Sequence, residues 1–347
     1  MSPIRLTELS HGGGCGCKIA PAVLSDILAK LPKQFADPAL LVGTESSDDA
    51  AVYRLNDQQA IIATTDFFMP IVDDAFDFGR IAATNALSDI YAMGGKPLFA
   101  LAIVGMPIGK LPVETIQQIL AGGESVCRAA GIPVAGGHSI DAPEPIYGLV
   151  GIGVADPKDV KRNDTAHDGD ILVLGKPLGI GIMSAALKKN ALDADGYAQM
   201  IASTTKLNTP GSEFARLPEV HAMTDVTGFG LLGHLLEICR GSNLGANVRF
   251  ADLPLWPAAR ALAEAGFAPG AVDRNWASYG DSIDMPSSLD AWKKNLLCDP
   301  QTSGGLLVAC APAALEQVLA IFRSHGFDQA GQIGTLTAGA PRIRIDA

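Results

Sequence analysis

The chain has 347 residues, of which 48% are hydrophobic and 18% are charged, and its formal net charge is -11. That length exceeds what one hydrophobic core usually holds, so we predict two domains. An acidic balance of this size argues against non-specific binding to nucleic acid or to an anionic membrane surface. A protein of this charge that handles phosphate has to offset its own negative field locally, most simply with bound metal ions.

The cysteines and the lengths of the apolar stretches indicate the cellular compartment of the protein. No N-terminal run resembles the apolar core of a signal peptide, and no apolar stretch approaches the length of a membrane span. The six cysteines are scattered, and four of them lie in apolar segments typical of small buried residues. We therefore predict a cytoplasmic, reduced protein that has no membrane partner.

The first distinctive stretch is a glycine-rich arm at residues 10–18, with the sequence Ser-His-Gly-Gly-Gly-Cys-Gly-Cys-Lys. Its glycines suit neither a stable helix nor a packed strand, but they let the backbone approach a ligand. Lys18 lies near Cys15 and Cys17 and favours the thiolate, which is the reactive form. Three interpretations stay open: a movable catalytic arm, a disordered N-terminus, or a zinc site on His11 and the two cysteines, whose spacing is unusually tight for zinc.

The segments after the arm predict a helix and then strands around a polar turn. Residues 21–31 carry an apolar stripe, and Pro21 suits a first helical turn. The run 60–65 predicts a buried strand, and Asp66 stands at its end, where a carboxylate often faces a cleft. The turn before this strand holds four polar residues that turn chemistry alone could explain, namely Ser46, Ser47, Asp48 and Asp49.

Residues 77–93 predict a helix that ends at a pair of glycines. Asn85 and Asp89 are four residues apart on it and therefore share one face. That face is otherwise poor in charge, which is unusual for a solvated surface and suits a site that needs oxygen ligands. The rest of this half is predicted to hold a strand at 98–104, a helix at 113–130, a strand at 132–135 that leads into Gly136-Gly-His-Ser139, and a strand at 146–154.

The pattern restarts beyond residues 156–168, where we place the domain boundary. Thr224-Asp225 ends a strand as Thr65-Asp66 does, and two glycines follow that let the backbone approach a ligand. Asp225 would then be placed to hold a cation near the start of the next helix. The polar segment 298–305 precedes a strand at 306–310, and we predict irregular structure between Trp276 and Leu289.

Taken together, these features predict phosphoryl transfer. Several aspartates can hold two or more magnesium ions that share the phosphate oxygens of a nucleotide. Catalysis would then depend on positioning and on charge neutralisation, without a glycine-rich phosphate loop. The arm would bring a soft nucleophile, or a soft substrate, to the phosphorus atom.

Six motifs of the chain resemble those of the selenophosphate synthetase family, and the resemblance runs from the first residues to the last strand. The motifs are His11-Gly-Gly-Gly-Cys-Gly-Cys-Lys18, Thr64-Thr-Asp-Phe-Phe-Met-Pro70, Asn85-Ala-Leu-Ser-Asp-Ile-Tyr-Ala-Met-Gly-Gly-Lys-Pro97, Gly136-Gly-His-Ser-Ile-Asp141, Met223-Thr-Asp-Val-Thr-Gly-Phe-Gly230 and Asp299-Pro-Gln-Thr-Ser-Gly-Gly305. Any one of them would be weak, but together they are specific. Some relatives carry selenocysteine at the position of Cys15.

The resemblance implies an α/β (α+β) protein with the two-domain fold of the aminoimidazole ribonucleotide synthetase-like superfamily. The implied parts are a flexible catalytic arm at 1–20, an N-terminal ATP-binding and dimerisation domain at 21–156, and a C-terminal α/β sandwich at 168–347. In such a homodimer the N-terminal mixed sheets form a barrel, and ATP binds between the N-terminal domains.

The implied reaction converts ATP, selenide and water into selenophosphate, AMP and orthophosphate with magnesium, and it supplies selenium for selenocysteine and selenouridine. By resemblance, Cys15 is the catalytic thiol and Lys18 the cation that meets the phosphates. The implied magnesium ligands are Asp49, Asp89 and Asp225. The implied ATP contacts are Lys18, Ser46, Ser47, Asp48, Asp66, Asp89, Gly137, His138 and Ser139. His11 and Asn85 are added as further members of the site.

Two alternatives remain at this point. One is another ATP-dependent enzyme of the same superfamily, although such chemistries need no soft nucleophile on an arm like this one. The other is a non-enzymatic carrier of selenium or metal. The sequence does not say whether selenide arrives free or from a selenium-delivery protein as partner.

Overall fold

In the computed structural model, the described residues are 4–19, 23, 26–27, 37–44 and 48–346. The helix predicted at 21–31 lies mostly outside these residues, and Ser46 and Ser47 lie outside them entirely. Two mixed sheets organise the described part of the chain, one in each half.

The N-terminal sheet has six strands in the order β1-β2-β3-β6-β4-β5. Neighbouring strands are antiparallel except for β4 and β5, which are parallel. Two helices accompany the sheet, α1 (Ala75–Ala92) and α2 (Val113–Ala129). The strands are β1 (Leu40–Val42), β2 (Ala51–Asn56), β3 (Gln59–Phe68), β4 (Lys96–Met106), β5 (Val134–Asp141) and β6 (Ile146–Ala155).

The C-terminal sheet has seven strands in the order β10-β13-β9-β12-β7-β11-β8. Strand β13 is parallel to both of its neighbours, and the other pairs are antiparallel. Its strands are β7 (Ile171–Leu174), β8 (Val220–Asp225), β9 (Leu244–Arg249), β10 (Ile283–Asp284), β11 (Leu306–Cys310), β12 (Gly331–Ala338) and β13 (Ile343–Asp346). The helices of this half are α3 (Ile180–Lys188), α4 (Ala194–Thr204), α5 (Gly211–Phe214), α6 (Gly230–Ser242), α7 (Pro257–Glu264), α8 (Ala271–Tyr279), α9 (Ala291–Leu297) and α10 (Leu315–Ser324).

Strand β3 positions one edge of the site through its alternation. Every second residue from Ala60 to Phe68 is buried, while the residues between them are exposed or half-buried. Because side chains alternate faces along a strand, Thr64 and Asp66 lie on the same face. That face packs against α1, so both side chains point towards the helix that carries Asn85 and Asp89.

Helix α1 is the central element of the molecule. Its N-cap is Asp74, whose carboxylate accepts a hydrogen bond of 2.8 Å from the Asp77 N–H. Every residue from Ile81 to Ala92 is buried, because the N-terminal sheet lies on one side of the helix and the C-terminal half on the other. The amide of Asn208 donates to Ser88 on this helix at 2.7 Å, which ties the two halves together.

Two predictions of secondary structure are wrong. The strand predicted to end at residue 135 continues through Gly136 and Gly137, whose φ angles of 146° and 153° suit glycine alone. A Cβ on Gly137 would lie 2.1 Å from the Ala102 carbonyl oxygen, so the glycine also permits close pairing with β4. The segment predicted as irregular from Trp276 begins inside α8.

No helix within the described ranges is both long enough and apolar enough to cross a lipid bilayer.

Candidate active site

The glycine-rich arm lies between the two halves of the chain. Its residues Gly14–Cys17 form a 3-10 turn. The Gly14 N–H donates to the Met69 carbonyl oxygen at 2.9 Å, and the Cys15 N–H donates to Thr302 Oγ1 at 3.0 Å. Gly14 has a φ of 53°, and a Cβ there would be 2.3 Å from Thr302 Oγ1, so only glycine fits. The arm therefore contacts the N-terminal and the C-terminal half at once.

The Cys15 thiol is enclosed by this arrangement. The side chain is 1% exposed, and its Sγ donates to Asn85 Oδ1 at 3.3 Å. Burial raises the pKa of Cys15, and the nearby Lys18 lowers it by less. Lys18 thus favours the thiolate, as expected, but in this closed arrangement desolvation outweighs the attraction of one ammonium group.

Cys17 and His11 have other partners. The Cys17 thiol donates to the Gly14 carbonyl oxygen at 2.9 Å within the arm, and burial raises its pKa as well. The His11 ring is exposed and lies 2.9 Å from a carboxylate oxygen of Glu144. The three side chains considered for zinc thus contact three different groups.

Lys18 points into the site from the end of the arm. Its Nζ lies 3.4 Å from Asp66 Oδ2, and the same oxygen accepts a hydrogen bond of 2.6 Å from Asn85 Nδ2. Desolvation lowers the pKa of Lys18, but the charge of Asp66, with smaller contributions from Cys15, Asp89 and Asp225, raises it overall. The lysine is therefore a firmly protonated cation.

Asp89 lies one helical turn from Asn85, as predicted, and both are buried. The Thr64 hydroxyl of β3 donates to the Asp89 carboxylate. Burial raises the pKa of Asp89 well above its ordinary value, and repulsion from Asp225 and Asp66 adds to this rise. The fold thus gathers negative charge that the protein alone does not neutralise.

Asp49 and Asp225 complete this set of carboxylates from two directions. Thr224 Oγ1 donates to Asp49 Oδ1 at 2.8 Å across the two halves. Burial raises the pKa of Asp49, as does repulsion from Asp225 and Asp89. Burial also raises the pKa of Asp225, although a hydrogen bond from Ser88 lowers it. Among the described residues, Asp49 Oδ2 and Asp225 Oδ2 are buried without a hydrogen-bond partner.

These oxygens fit a cation. Hard divalent ions prefer carboxylate oxygens, and a bound ion would relieve both the missing partners and the mutual repulsion. In the part of the chain that the structure describes, no three acidic, histidine or cysteine side chains converge closely enough to hold one ion together. In this arrangement one ion would therefore bind at most two of Asp49, Asp89 and Asp225, and it would need other oxygens as well, such as water or phosphate.

Asp48 has a different environment from its neighbour Asp49. Its Oδ1 accepts a hydrogen bond of 2.9 Å from the Asn163 N–H, and its Oδ2 lies 3.9 Å from Nε of Arg162. These partners belong to the connection between the two sheets. The structure thus shows Asp48 in contact with the connection between the halves, whereas the resemblance implies an ATP contact for it.

The segment Gly137–Ser139 is not brought to the other site residues within the chain. It is exposed on β5, the edge strand of the N-terminal sheet. The strand register puts Asp66, Leu149, Ala102 and Gly137 in one row across four strands, so Gly137 is about 14 Å from Asp66. The segment borders a groove of about 780 Å³ between β5 and α2.

Three contact residues were not assigned a role from the sequence. Thr302 and Ser303 lie in a quoted motif, yet nothing in the motif shows that they contact Cys15 and Asn85. Thr64 could have been found, because the alternation of β3 puts it on the same face as Asp66.

We define the inter-domain site as Cys15, Lys18, Asp49, Asp66, Asn85, Asp89 and Asp225. The space left beside Cys15 and Lys18 is about 10 Å³, room for no more than a water molecule. The closed arm therefore has to move before a nucleotide or any larger substrate reaches the thiol.

Two family models match the chain and together cover most of it. Residues 47–155 match the N-terminal domain of AIR synthase related proteins, and residues 167–346 match the C-terminal domain. Among solved structures, thiamine-monophosphate kinase from Stenotrophomonas maltophilia K279a has a TM-score of 0.66 at 19% identity, over 95% of this chain and 96% of that one. E. coli HypE has a TM-score of 0.65 at 22% identity, over 90% of both chains. The predicted two-domain α/β fold is confirmed.

Curated relatives match at much higher identity. A selenide, water dikinase from Paraburkholderia xenovorans (strain LB400) is 67% identical over 98% of this chain and 96% of that protein. A selenide, water dikinase from Rhizobium meliloti (strain 1021) is 57% identical over 98% of both. With this identity over nearly the whole length, on a fold whose inter-domain site holds a thiol, an ammonium group and four carboxylates, the chain belongs to the selenide, water dikinase family of AIR synthase related proteins.

Proposed function

We propose that this chain converts ATP, selenide and water into selenophosphate, AMP and orthophosphate at the inter-domain site. The observation that supports this most is the arm, which places Cys15 and Lys18 beside buried carboxylates from both halves. Membership of the family supports the reaction, and the contacts of the arm support the choice of residues.

Lys18 would bind the phosphates of ATP. Its ammonium group is paired with Asp66 in the closed arrangement, at 3.4 Å, and Asn85 also contacts Asp66. A phosphate oxygen carries more charge than a shared carboxylate and forms a strong charge-assisted hydrogen bond with such a donor. ATP would then draw Lys18 from Asp66, which remains anchored by the Asn85 amide.

Magnesium would be held by Asp49, Asp89 and Asp225. When bound, magnesium would neutralise the polyphosphate and stabilise the charge that develops during phosphoryl transfer. Thr64 and Thr224 orient two of these carboxylates by donating to one oxygen of each, which leaves the second oxygen for the ion.

Cys15 would present the soft atom of the reaction. In the closed arrangement the thiol keeps its proton, because burial raises its pKa. Opening the arm would hydrate the sulfur while Lys18, three residues away, stays near it, so the pKa would fall towards that of an ordinary or activated cysteine. The arm thus couples access of substrate to the formation of the thiolate.

A homodimer would complete the site. The face of the N-terminal sheet away from α1 exposes large apolar side chains, among them Tyr53 at 41%, Phe67 at 49% and Ile140 at 58%. An apolar face of this kind is typical of a protein–protein interface. Since Gly137–Ser139 lies about three strand spacings from Asp66 in one chain, a second copy could bring this segment to the ATP bound by the first.

Phosphorus NMR of ATP and magnesium with free selenide, under anaerobic conditions, tests this function. We expect selenophosphate, AMP and orthophosphate to form in equal amounts, and no AMP to form with the Cys15→Ser variant. ADP as the final product would indicate a different ATP-dependent enzyme. Retention of selenium without any consumption of ATP would indicate a carrier and contradict the proposal.

A further inference from the structure

The loop Asp299–Gly305 forms the C-terminal wall of the inter-domain site, and Ser303 has an unusual backbone within it. Its φ is 53°, in a region that a side chain with a Cβ disfavours. Such a conformation persists only where surrounding contacts hold it. The Ser303 N–H donates to Asn85 Oδ1 at 2.7 Å, and the same oxygen accepts the Cys15 thiol. The direction of this peptide therefore sets the orientation of the Asn85 amide.

Lys176 holds the other end of the same residue. It follows β7, is 3% exposed, and donates from Nζ to the Ser303 carbonyl oxygen at 2.8 Å. A second bond of 2.7 Å goes to the Lys206 carbonyl oxygen. Burial lowers the pKa of Lys176 to about 7, but a neutral amine still has two N–H groups. Both hydrogen bonds are therefore available on either side of neutral pH.

We propose that Lys176 is a positioning residue for Cys15. By holding the Ser303 carbonyl oxygen, it fixes the backbone of Ser303 in the conformation in which the Ser303 N–H meets Asn85, and Asn85 in turn contacts both the Cys15 thiol and the Asp66 carboxylate. This inference rests on the proposed function for what Cys15 does, whereas the chain of contacts is independent of it.

The loop does not depend on Lys176 alone for its place in the fold. Asn208 Nδ2 donates to the Gly304 carbonyl oxygen at 2.9 Å and to Ser88 on α1. Gln301 caps α3 by accepting from the Gly179 and Ile180 N–H groups at 3.1 and 3.2 Å. Loss of the Lys176 amine should therefore release the backbone conformation of Ser303 while the loop stays attached.

A cavity of about 370 Å³ beside Lys176 makes this testable by chemical rescue. Lys176 lines it together with Lys206, Trp256 and Phe327. A small amine can enter such a space and occupy the position that a truncated side chain vacates. Lys206 provides the matched control, because its Nζ contacts the Gly326 carbonyl oxygen and lies 4.3 Å from the Phe327 ring centre. Its side chain does not contact Ser303.

The experiment compares Lys176→Ala with Lys206→Ala in the full-length chain. For Lys176→Ala we expect kcat to fall about 10- to 100-fold, as for loss of other orienting groups around a site, with KM for ATP nearly unchanged. Added methylammonium should restore part of kcat. Iodoacetamide should alkylate Cys15 faster than in the parent, with the modified residue identified by mass spectrometry. Lys206→Ala should match the parent in each measurement.

Three results would overturn the inference. The first is a parent-like kcat in Lys176→Ala, and the second is alkylation of Cys15 at the parent rate. The third is a loss of kcat that amines do not restore, together with faster alkylation of the buried residues Cys127 and Cys239, which would show general unfolding. A parent protein that forms no selenophosphate would instead contradict the proposed function, and the alkylation rates would still test the role of Lys176.

Discussion

The inter-domain site is buried, whereas the outer edge of the N-terminal sheet is exposed. The family resemblance nevertheless assigns residues of both regions to the same active site. At the inter-domain site, Cys15 and Asn85 are almost fully buried, and about 10 Å³ of space remains. At the edge, Gly137–Ser139 is exposed beside a groove of about 780 Å³. Residues from both halves of one chain thus enclose Cys15, whereas within the same chain the segment Gly137–Ser139 stays exposed and apart from them.

The first test of this contrast is whether the buried Cys15 thiol is needed for activity. We expect Cys15→Ser to lower selenide-dependent AMP formation about 10³-fold, or about 4 kcal/mol, because a hydroxyl is a far poorer nucleophile at neutral pH. The Cys17→Ser variant should keep much of the activity, since the Cys17 thiol donates to the Gly14 carbonyl oxygen and a serine hydroxyl can make the same hydrogen bond. An active Cys15→Ser protein beside an inactive, folded Cys17→Ser protein would reverse the assignment.

The carboxylates of the inter-domain site provide the second test. We expect Asp89→Asn to lower turnover about 10²-fold or more, because it removes charge from a proposed metal ligand. Its melting temperature should stay the same or rise, since burial and repulsion already disfavour the Asp89 carboxylate in the folded protein. Asp57→Asn in the exposed β2–β3 turn is the control. Near-parent activity of Asp89→Asn at limiting magnesium would show that Asp89 has a structural role and is not a metal ligand.

Mixed dimers test whether His138 at the sheet edge and Cys15 at the inter-domain site act together across two chains. We expect His138→Glu to raise KM for ATP about tenfold, because a carboxylate beside phosphate costs about 1.4 kcal/mol or more. At ATP well below the parent KM, where the His138→Glu homodimer itself contributes little, the proposed homodimer predicts that mixing His138→Glu with Cys15→Ser subunits gives about a quarter of parent activity, since half of the dimers are mixed and each of these has one intact site. To measure this, equal amounts of the two variants are mixed, unfolded, refolded together and then assayed. No recovery would mean that both residues act within one chain.

Magnesium should stabilise the protein most where the carboxylates are ionised. The raised pKa values of Asp49, Asp89 and Asp225 mean that the folded protein binds more protons than the unfolded chain at pH values above 3.8. Without metal, their contribution to the free energy of unfolding therefore rises as pH falls through those raised values. Magnesium at 100 times its Kd should add about 2.7 kcal/mol near pH 8 and less at pH 5. Thermal unfolding with and without magnesium measures this. If magnesium stabilised the Asp225→Asn variant as much as the parent, Asp225 would not be a magnesium ligand.

The smallest expected effect concerns the arm. Gly14 and Cys15 hold it by two main-chain donors, and four glycines make its ordering costly. A non-hydrolysable ATP analogue with magnesium should slow hydrogen exchange at residues 11–18, because Lys18 and the backbone gain phosphate contacts. Exchange at β11 in the C-terminal core serves as the control. Unchanged exchange in the arm would count against its movement during the reaction.

Local patterns were enough to predict part of this site. Strand alternation and helical spacing put Asp66, Asn85 and Asp89 on facing surfaces, and these are short-range consequences of backbone geometry. Contacts between distant segments were not predictable in this way. Thr302 reaches Cys15 across 287 positions of sequence, and no pattern near either residue encodes that approach.

The state of the thiol shows a second limit of the sequence. The proximity of Lys18 is visible in the sequence and favours a thiolate, but the depth of burial depends on how the whole chain packs, and burial prevails for Cys15. The extent of β5 was missed because a glycine pair usually ends a strand. Here Gly137 pairs with Ala102 of β4, Gly136 lies where the register of the two strands shifts, and both glycines have a conformation that other residues avoid.

The enclosure of Cys15 also affects how this protein withstands air. Peroxide and dioxygen-derived oxidants attack the thiolate, and they convert exposed thiolates to sulfenic acid and then to irreversible products. The Cys15 side chain is 1% exposed, so such oxidants do not reach it. Burial also raises its pKa, so the sulfur is a thiol and not the thiolate that they attack. The closed arrangement thereby shields Cys15 from oxidation, and under the proposed function the thiol is exposed to oxidants only while the arm is open.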